Sequence, residues 1–213
     1  MRRLSWIDWV TILVAIYLVG ETVYVWRIDP NSMYRIYTGM ICAVACFLPM
    51  LLRRLRLITL PAPMILAVLL ALFLHAYGVL FFRYDQVLRW DTVTHSVSSV
   101  TVACCVLLVI LAINHYDVNV NLTPAWAAGL VFMVVMTMGA YWEVFETIMD
   151  IVMGTAMQYS LHDTARDLAC DAGGGLLVAI VAYVYLRRND GSALVASLEL
   201  HPRLQEALIS RRR

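Results

Sequence analysis

The chain has 213 residues, 62% of them apolar and 15% charged, with a mean hydropathy of +0.76 and a formal net charge of +1. A water-soluble domain is about half apolar and about a quarter charged. The composition therefore excludes a soluble globule, a disordered chain and a nucleic-acid binder, and it places the protein in a membrane.

Apolar runs long enough to cross a hydrocarbon core of ~30 Å as helix fall at 7–26, 36–52, 58–82, 92–113, 124–148 and 167–186. They predict an all-α bundle of six transmembrane helices, since the strands of a membrane β-barrel would alternate instead. The first run follows Arg2 and Arg3 but is too long for a signal peptide. It also carries Glu21 and lacks a small-x-small cleavage site. Residues 1–188 read as one membrane unit and 189–213 as a basic cytoplasmic tail suited to anionic lipid.

All the basic residues are arginine, and their distribution sets the expected sidedness. With the N-terminus inside, Arg2, Arg3, Arg53, Arg54, Arg56, Arg187, Arg188, Arg203, Arg211, Arg212 and Arg213 are cytoplasmic. Arg27, Arg35, Arg83, Arg89 and Arg166 are outside. Both termini are thus expected in the cytoplasm, in a multi-pass protein of the cell membrane. Asn121-Leu122-Thr123 matches a glycosylation sequon, but it falls on the cytoplasmic side, and Thr123 before Pro124 reads as a helix cap.

The carboxylates follow the opposite bias. Asp8, Asp117, Asp190, Glu199 and Glu206 fall inside, and the other ten outside, which splits the net charge into +6 within and −5 without. Several outer carboxylates and two histidines, His75 and His95, lie within apolar spans. Ionisable groups there are costly and face the bundle interior or a wet cavity. Their spacing puts them on shared helix faces: Asp91 and His95 are i,i+4, as are Asp163 and Asp167, and Asp167 and Asp171. Glu143 and Glu146 are i,i+3, with Asp150 one turn on.

Carboxylates with imidazole make a ligand set for a divalent metal ion. The expected ligands are Asp91, His95, Asp163, Asp167 and Asp171, with Glu143 or Glu146 as general base. Asp91-Thr92-Val93-Thr94-His95 and Asp163-Thr164-Ala165-Arg166-Asp167 echo one another at the starts of the fourth and sixth spans. This echo suggests a parallel repeat of helix pairs three–four and five–six. Asp91 and Asp163 read equally well as N-caps. Asp150 reads as a solvated headgroup charge and His75 as an interhelical hydrogen bonder. The five cysteines, without a CxxC, read as packing residues. Gly173-Gly174-Gly175 would draw the sixth helix into the bundle centre.

Asp91…His95, Glu143/Glu146 and the run HDTARDLACDAGG (162–174) resemble the YjdF-like family of inner-membrane proteins and, more distantly, VanZ-like membrane proteins. The resemblance covers about 70–186 and implies a polar core of Asp91, His95, Glu143, Glu146, Asp163, Asp167 and Asp171, without a substrate. Three functions compete. The first is metal-dependent hydrolysis or group transfer on a lipid-linked substrate, with membrane lipid as partner. The second is a cation- or proton-coupled transporter. The third is a non-catalytic membrane subunit. Transport needs polar groups continuing inward, and the Ser96, Ser98, Ser99 and Thr101 cluster stops short.

Overall fold

A computed structural model of the chain describes residues 4–87 and 89–209. Arg2, Arg3, Arg211, Arg212, Arg213 and the side chain of Arg203, counted above for sidedness, lie outside the described residues. Six stretches are long and apolar enough to cross a membrane: Trp6–Ile28, Met33–Arg54, Ala62–Leu80, Trp90–Tyr116, Pro124–Met153 and Leu161–Leu186. The protein is an all-α, polytopic membrane protein.

The first span is α1 (Trp6–Ile28). The second is broken into α2 (Met33–Ala45) and α3 (Leu48–Arg54). Pro49 causes the break, because it has no amide hydrogen and its ring excludes the carbonyl four residues back. The third span was expected from 58, but Pro61 and Pro63 delay it, and α4 runs Ala62–Leu80. Ile58–Thr59 instead forms β1. A short turn of helix, α5 (Arg83–Gln86), precedes α6 (Trp90–Tyr116). The fifth span, α7 (Pro124–Met153), starts on the expected Thr123 cap, whose hydroxyl accepts from the Trp126 amide. It ends at Gly154, whose φ of +64° suits glycine. The sixth, α8 (Leu161–Leu186), begins a turn and a half earlier than expected, because Ser160 caps it through the Asp163 amide. Asp163 and Asp167 therefore sit inside the helix.

The helices form two packed groups. Buried Ile7, Ala15, Leu18, Cys42, Cys46, Ile65 and Leu69 join α1, α2 and α4. Ala103, Val131, Val135 and Val178 join α6, α7 and α8. The groups meet along α4 and α6. Tyr141, Ile151, Val152 and Leu161 remain exposed, as lipid-facing side chains do in a structure whose solvent is apolar. Cys42 and Cys46 are buried in the core, and no disulfide forms among the described residues.

The two ends of the bundle differ. The terminal end has a buried ion pair: Asp8, 3% exposed, meets Arg53 Nη2 at 2.6 Å and accepts from the amide and hydroxyl of Ser5. The tail also docks here. Helix α9 (Ser192–Ser197) packs on α6, strand β2 (Glu199–Leu200) pairs antiparallel with β1, and α10 (Pro202–Ile209) follows. Leu198 closes a small core with Met64, Leu108 and Ala112. The far end is built from the 29–35, 81–90 and 154–160 connections.

Glycines let α8 press against both of its neighbours. A Cβ on Gly174 would run into the Ser99 hydroxyl and lie 3.0 Å from Ser99 Cβ and 3.2 Å from the Val100 amide nitrogen. One on Gly175 would lie 3.1 Å from Val135 Cγ1. Gly174→Ala should therefore lower stability by about 1–3 kcal/mol, read as a lower Tm in detergent. Ser99→Ala should restore part of the loss. A neutral Gly174→Ala would refute the close approach.

Candidate metal centre

Helix α6 supplies Asp91 and His95 one turn apart, and α8 supplies Asp167 opposite them. One ligand atom from each of the three lies within 4.8 Å of the other two. His95 Nε2 is 3.6 Å from Asp91 Oδ1, and His95 Nδ1 is 3.4 Å from Asp171 Oδ1. The imidazole is thus held between two carboxylates, with Asp91 on its Nε2 side and Asp171 on its Nδ1 side. Gly139 makes room for this: a Cβ there would collide with the Asp171 carboxylate. Asp167 is 2% exposed and Asp171 6%.

Neither Asp91 nor Asp163 is an N-cap. Arg89 and Ser160 hold those positions, and the two aspartates lie in the first turns of their helices. The two echoed segments also differ in use. Asp163 is engaged by Arg166, the residue one turn along its own helix, and so stands apart from the Asp91–His95–Asp167 group. Arg166 Nε also lies 4.0 Å from Asp167 Oδ1.

The two glutamates part company. Glu143 is 5% exposed, and neither of its carboxylate oxygens has a hydrogen-bond partner among the described residues. Asp167 Oδ1 is likewise buried and accepts no hydrogen bond among the described residues, with Arg166 Nε 4.0 Å away. Buried polar atoms in a native structure have partners as a rule. These three oxygens, with the equally unsatisfied Trp90 Nε1 and Thr92 Oγ1, leave room for a cation or water at this end of the bundle. Glu146 is half-buried and accepts from Trp142 Nε1 at 2.9 Å.

Beside this group lies a cavity of about 470 Å³ bounded by the connections of the far end and the last turns of α4 and α7. Asp91 and Glu146 reach its wall from the carboxylate cluster, and Tyr34, Arg35, His75, Phe82, Tyr84, Asp85 and Tyr159 complete much of it. His75 does bond between elements, its Nδ1 lying 3.0 Å from the Tyr84 hydroxyl. Burial pushes the Tyr84 phenol well above the ordinary tyrosine range, which keeps its proton for hydrogen bonding. Glu21, by contrast, stays on α1 and joins neither the cavity wall nor the ligand group.

Arg35, counted among the outer arginines, is buried. Its Nε and Nη2 donate to the Leu80 carbonyl at the end of α4, its Nη1 meets Asp29 at 3.1 Å, and its guanidinium lies 4.0 Å from the centre of the Phe82 ring. It braces a corner where Phe82 and Arg89 both take left-handed backbone conformations, with φ of 53° and 68°. Such residues cost of order 1–3 kcal/mol each and persist where surrounding structure holds them. The cavity-lining tyrosines and Arg35 carry no motif in the sequence. Their common signal is position, at turns on the same end of the bundle.

Asp150, expected as a solvated charge, is partly exposed, and its carboxylate also accepts from the Thr155 hydroxyl and from the Met157 and Gln158 amides at 2.6, 2.7 and 2.9 Å. It therefore shapes the α7–α8 turn that roofs the cavity. The Tyr159 hydroxyl then donates to Asp85 at 2.7 Å, linking that turn to α5. Burial and the adjacent Asp85 carboxylate both raise the Tyr159 phenol, so the proton stays on the donor.

The model of a family described as "Predicted membrane protein (DUF2238)" matches residues 9–188. The chain belongs to the DUF2238 family. The YjdF-like proteins that it resembles fall within this family. No curated protein matches the chain, and no solved structure does. The DUF2238 match takes in all the residues of the carboxylate–histidine group and the whole cavity wall, and it ends before α9. The family description makes this DUF2238 chain a membrane protein.

Asp150→Ala should free the Met157 and Gln158 amides and speed their hydrogen exchange by about tenfold or more, since each loses a bond worth ~1–3 kcal/mol. Unchanged exchange at both amides would show that the turn holds without the carboxylate.

Proposed function

We propose that Asp91, His95 and Asp167 bind a divalent metal ion at the outer face of the cell membrane, where it serves hydrolysis or group transfer on a lipid-linked substrate. The observation that carries this reading is the convergence of three ligand atoms beside buried carboxylate oxygens that accept no hydrogen bond among the described residues. Ligands ~2.1 Å from a tetrahedral ion stand roughly 3.4 Å apart. The 3.6 Å between His95 Nε2 and Asp91 Oδ1 suits that spacing. One imidazole with two carboxylates matches the borderline ligand sets of zinc, manganese or iron, leaving further positions for solvent or substrate.

Each remaining side chain then has work to do. Asp171 accepts from His95 Nδ1–H, fixing the tautomer that presents Nε2 to the ion. Glu143, buried on α7 near Thr164, would take a proton from a water held at the site. The ion itself would supply positive charge to polarise the bond under attack. Arg166 engages Asp163 and also stands 4.0 Å from Asp167 Oδ1, so a bound ion would share Asp167 with that guanidinium. The lipid-linked character of the substrate is supported by position: Asp91 is the second residue of an apolar helix long enough to cross the membrane, so a spanning α6 would bring it near the headgroups.

One observation disfavours a transport pathway. Inward of the cluster, the hydroxyls of Ser96, Ser99 and Thr101 donate back to carbonyls of their own helix, and the Ala103–Val131–Val135–Val178 core follows.

Elemental analysis of the purified full chain, reconstituted with zinc or manganese, should find about one ion per chain. Asp167→Asn and His95→Ala should each reduce it by about tenfold or more, in line with the loss of a ligand. Asp163→Asn should retain it, and so should Glu143→Gln. A wild-type chain without stoichiometric metal, or an Asp167→Asn variant that holds as much as wild type, would end this reading.

A further inference from the structure

The cavity beside the metal triad has a chemistry of its own. Its wall carries three carboxylates, Asp85, Asp91 and Glu146, against one guanidinium, Arg35. That guanidinium is already committed to the Leu80 carbonyl, to Asp29 and to the face of Phe82. It has little left for an anion. With Asp91 assigned to the metal, Asp85 and Glu146 remain, and each has a single neutral side-chain donor, the Tyr159 hydroxyl and the Trp142 indole. Behind Glu146, one turn back on α7, the buried Glu143 adds a further carboxylate with no partner among the described residues. The wall is also aromatic, with Tyr34, Tyr84 and Tyr159 distributed around it. Carboxylates interleaved with aromatic faces attract an ammonium group, through charge on one side and ring quadrupoles on the other. They repel a bare phosphate.

The volume agrees. About 470 Å³ lies within the range of small-molecule sites and is ample for one lipid headgroup. Asp91 belongs both to this wall and to the triad, so the cavity and the metal group are continuous.

We infer that the cavity binds the ammonium end of a zwitterionic headgroup, a phosphoethanolamine or phosphocholine, with its phosphodiester directed toward Asp91, His95 and Asp167. Only the phosphate end rests on the metal reading; the ammonium end rests on the cavity wall alone. Asp85 and Glu146 take the positive charge. Tyr34 and Tyr84 flank it, and the α7–α8 turn held by Asp150 and by the Tyr159–Asp85 bond lines its open side.

The test is titration calorimetry of the full chain in dodecyl maltoside, whose headgroup carries no ammonium. The probes are phosphocholine, phosphoethanolamine, choline, glycerol 3-phosphate and N-acetylglucosamine, each with added zinc and with EDTA. Both zwitterions should bind, and glycerol 3-phosphate should bind about tenfold or more weakly than they do. Glu146→Gln and Asp85→Asn should each weaken the zwitterions by about tenfold without altering metal content. Choline should bind in EDTA as well as in zinc. That result alongside a metal-free wild-type chain would uphold the cavity and remove the metal reading. Normal metal content with no choline binding would do the reverse. Glycerol 3-phosphate or N-acetylglucosamine binding as tightly as the zwitterions would overturn the inference, as would unchanged affinity in both variants.

Discussion

The cost of unneutralised charge in a medium that cannot solvate it governs this molecule. A carboxylate or guanidinium inside a bilayer must find a partner within the protein, and most of the buried polar groups here do so locally. Asp8 is closed off by Arg53 and Ser5. Arg35 is absorbed by a helix-end carbonyl, an aspartate and an aromatic face. Thr11, Thr22, Thr101 and Ser96 each donate to a carbonyl of their own helix. The exception is the junction of α6, α7 and α8, where Asp91, Glu143, Asp167 and Asp171 gather around a single imidazole. Everything distinctive about the far end, from its glycine contacts to its braced turns, serves to bring those groups together and keep them there.

Gly139 and Gly174 show how close packing and polar chemistry are joined. Each lies where a neighbouring helix projects a polar side chain, Asp171 in one case and Ser99 in the other. The helices approach closely because those positions lack a Cβ, and the polar groups thereby end up inside the bundle instead of facing lipid. Arg35 performs the matching task at the rim, where it ties the start of α2 to the end of α4 and the corner that follows.

Six spans were legible in the sequence because hydropathy alone decides them, and their ends were misplaced where prolines and caps intervene. Pro49 divides the second, Pro61 and Pro63 delay the third, and Ser160 advances the sixth. The triad was legible because i,i+4 spacing puts Asp91 and His95 on one face, whatever the rest of the fold does. Spacing could not separate Asp167 from Asp163, since the difference lies in how Arg166 turns. Nor could it assign Asp171 to the Nδ1 side of His95, which depends on the crossing of two helices. The cavity was hidden for a similar reason: its wall is assembled from three connections far apart in the chain.

The small strand pair at the terminal end joins Ile58 to Leu200 and Thr59 to Glu199. Between these partners the chain makes four membrane crossings, α4, α6, α7 and α8. Closing so long a loop carries a large entropic penalty unless the intervening chain is already ordered. The rung therefore pairs residues that only the packed crossings hold side by side, and it ties the tail back to the segment that leads into α4.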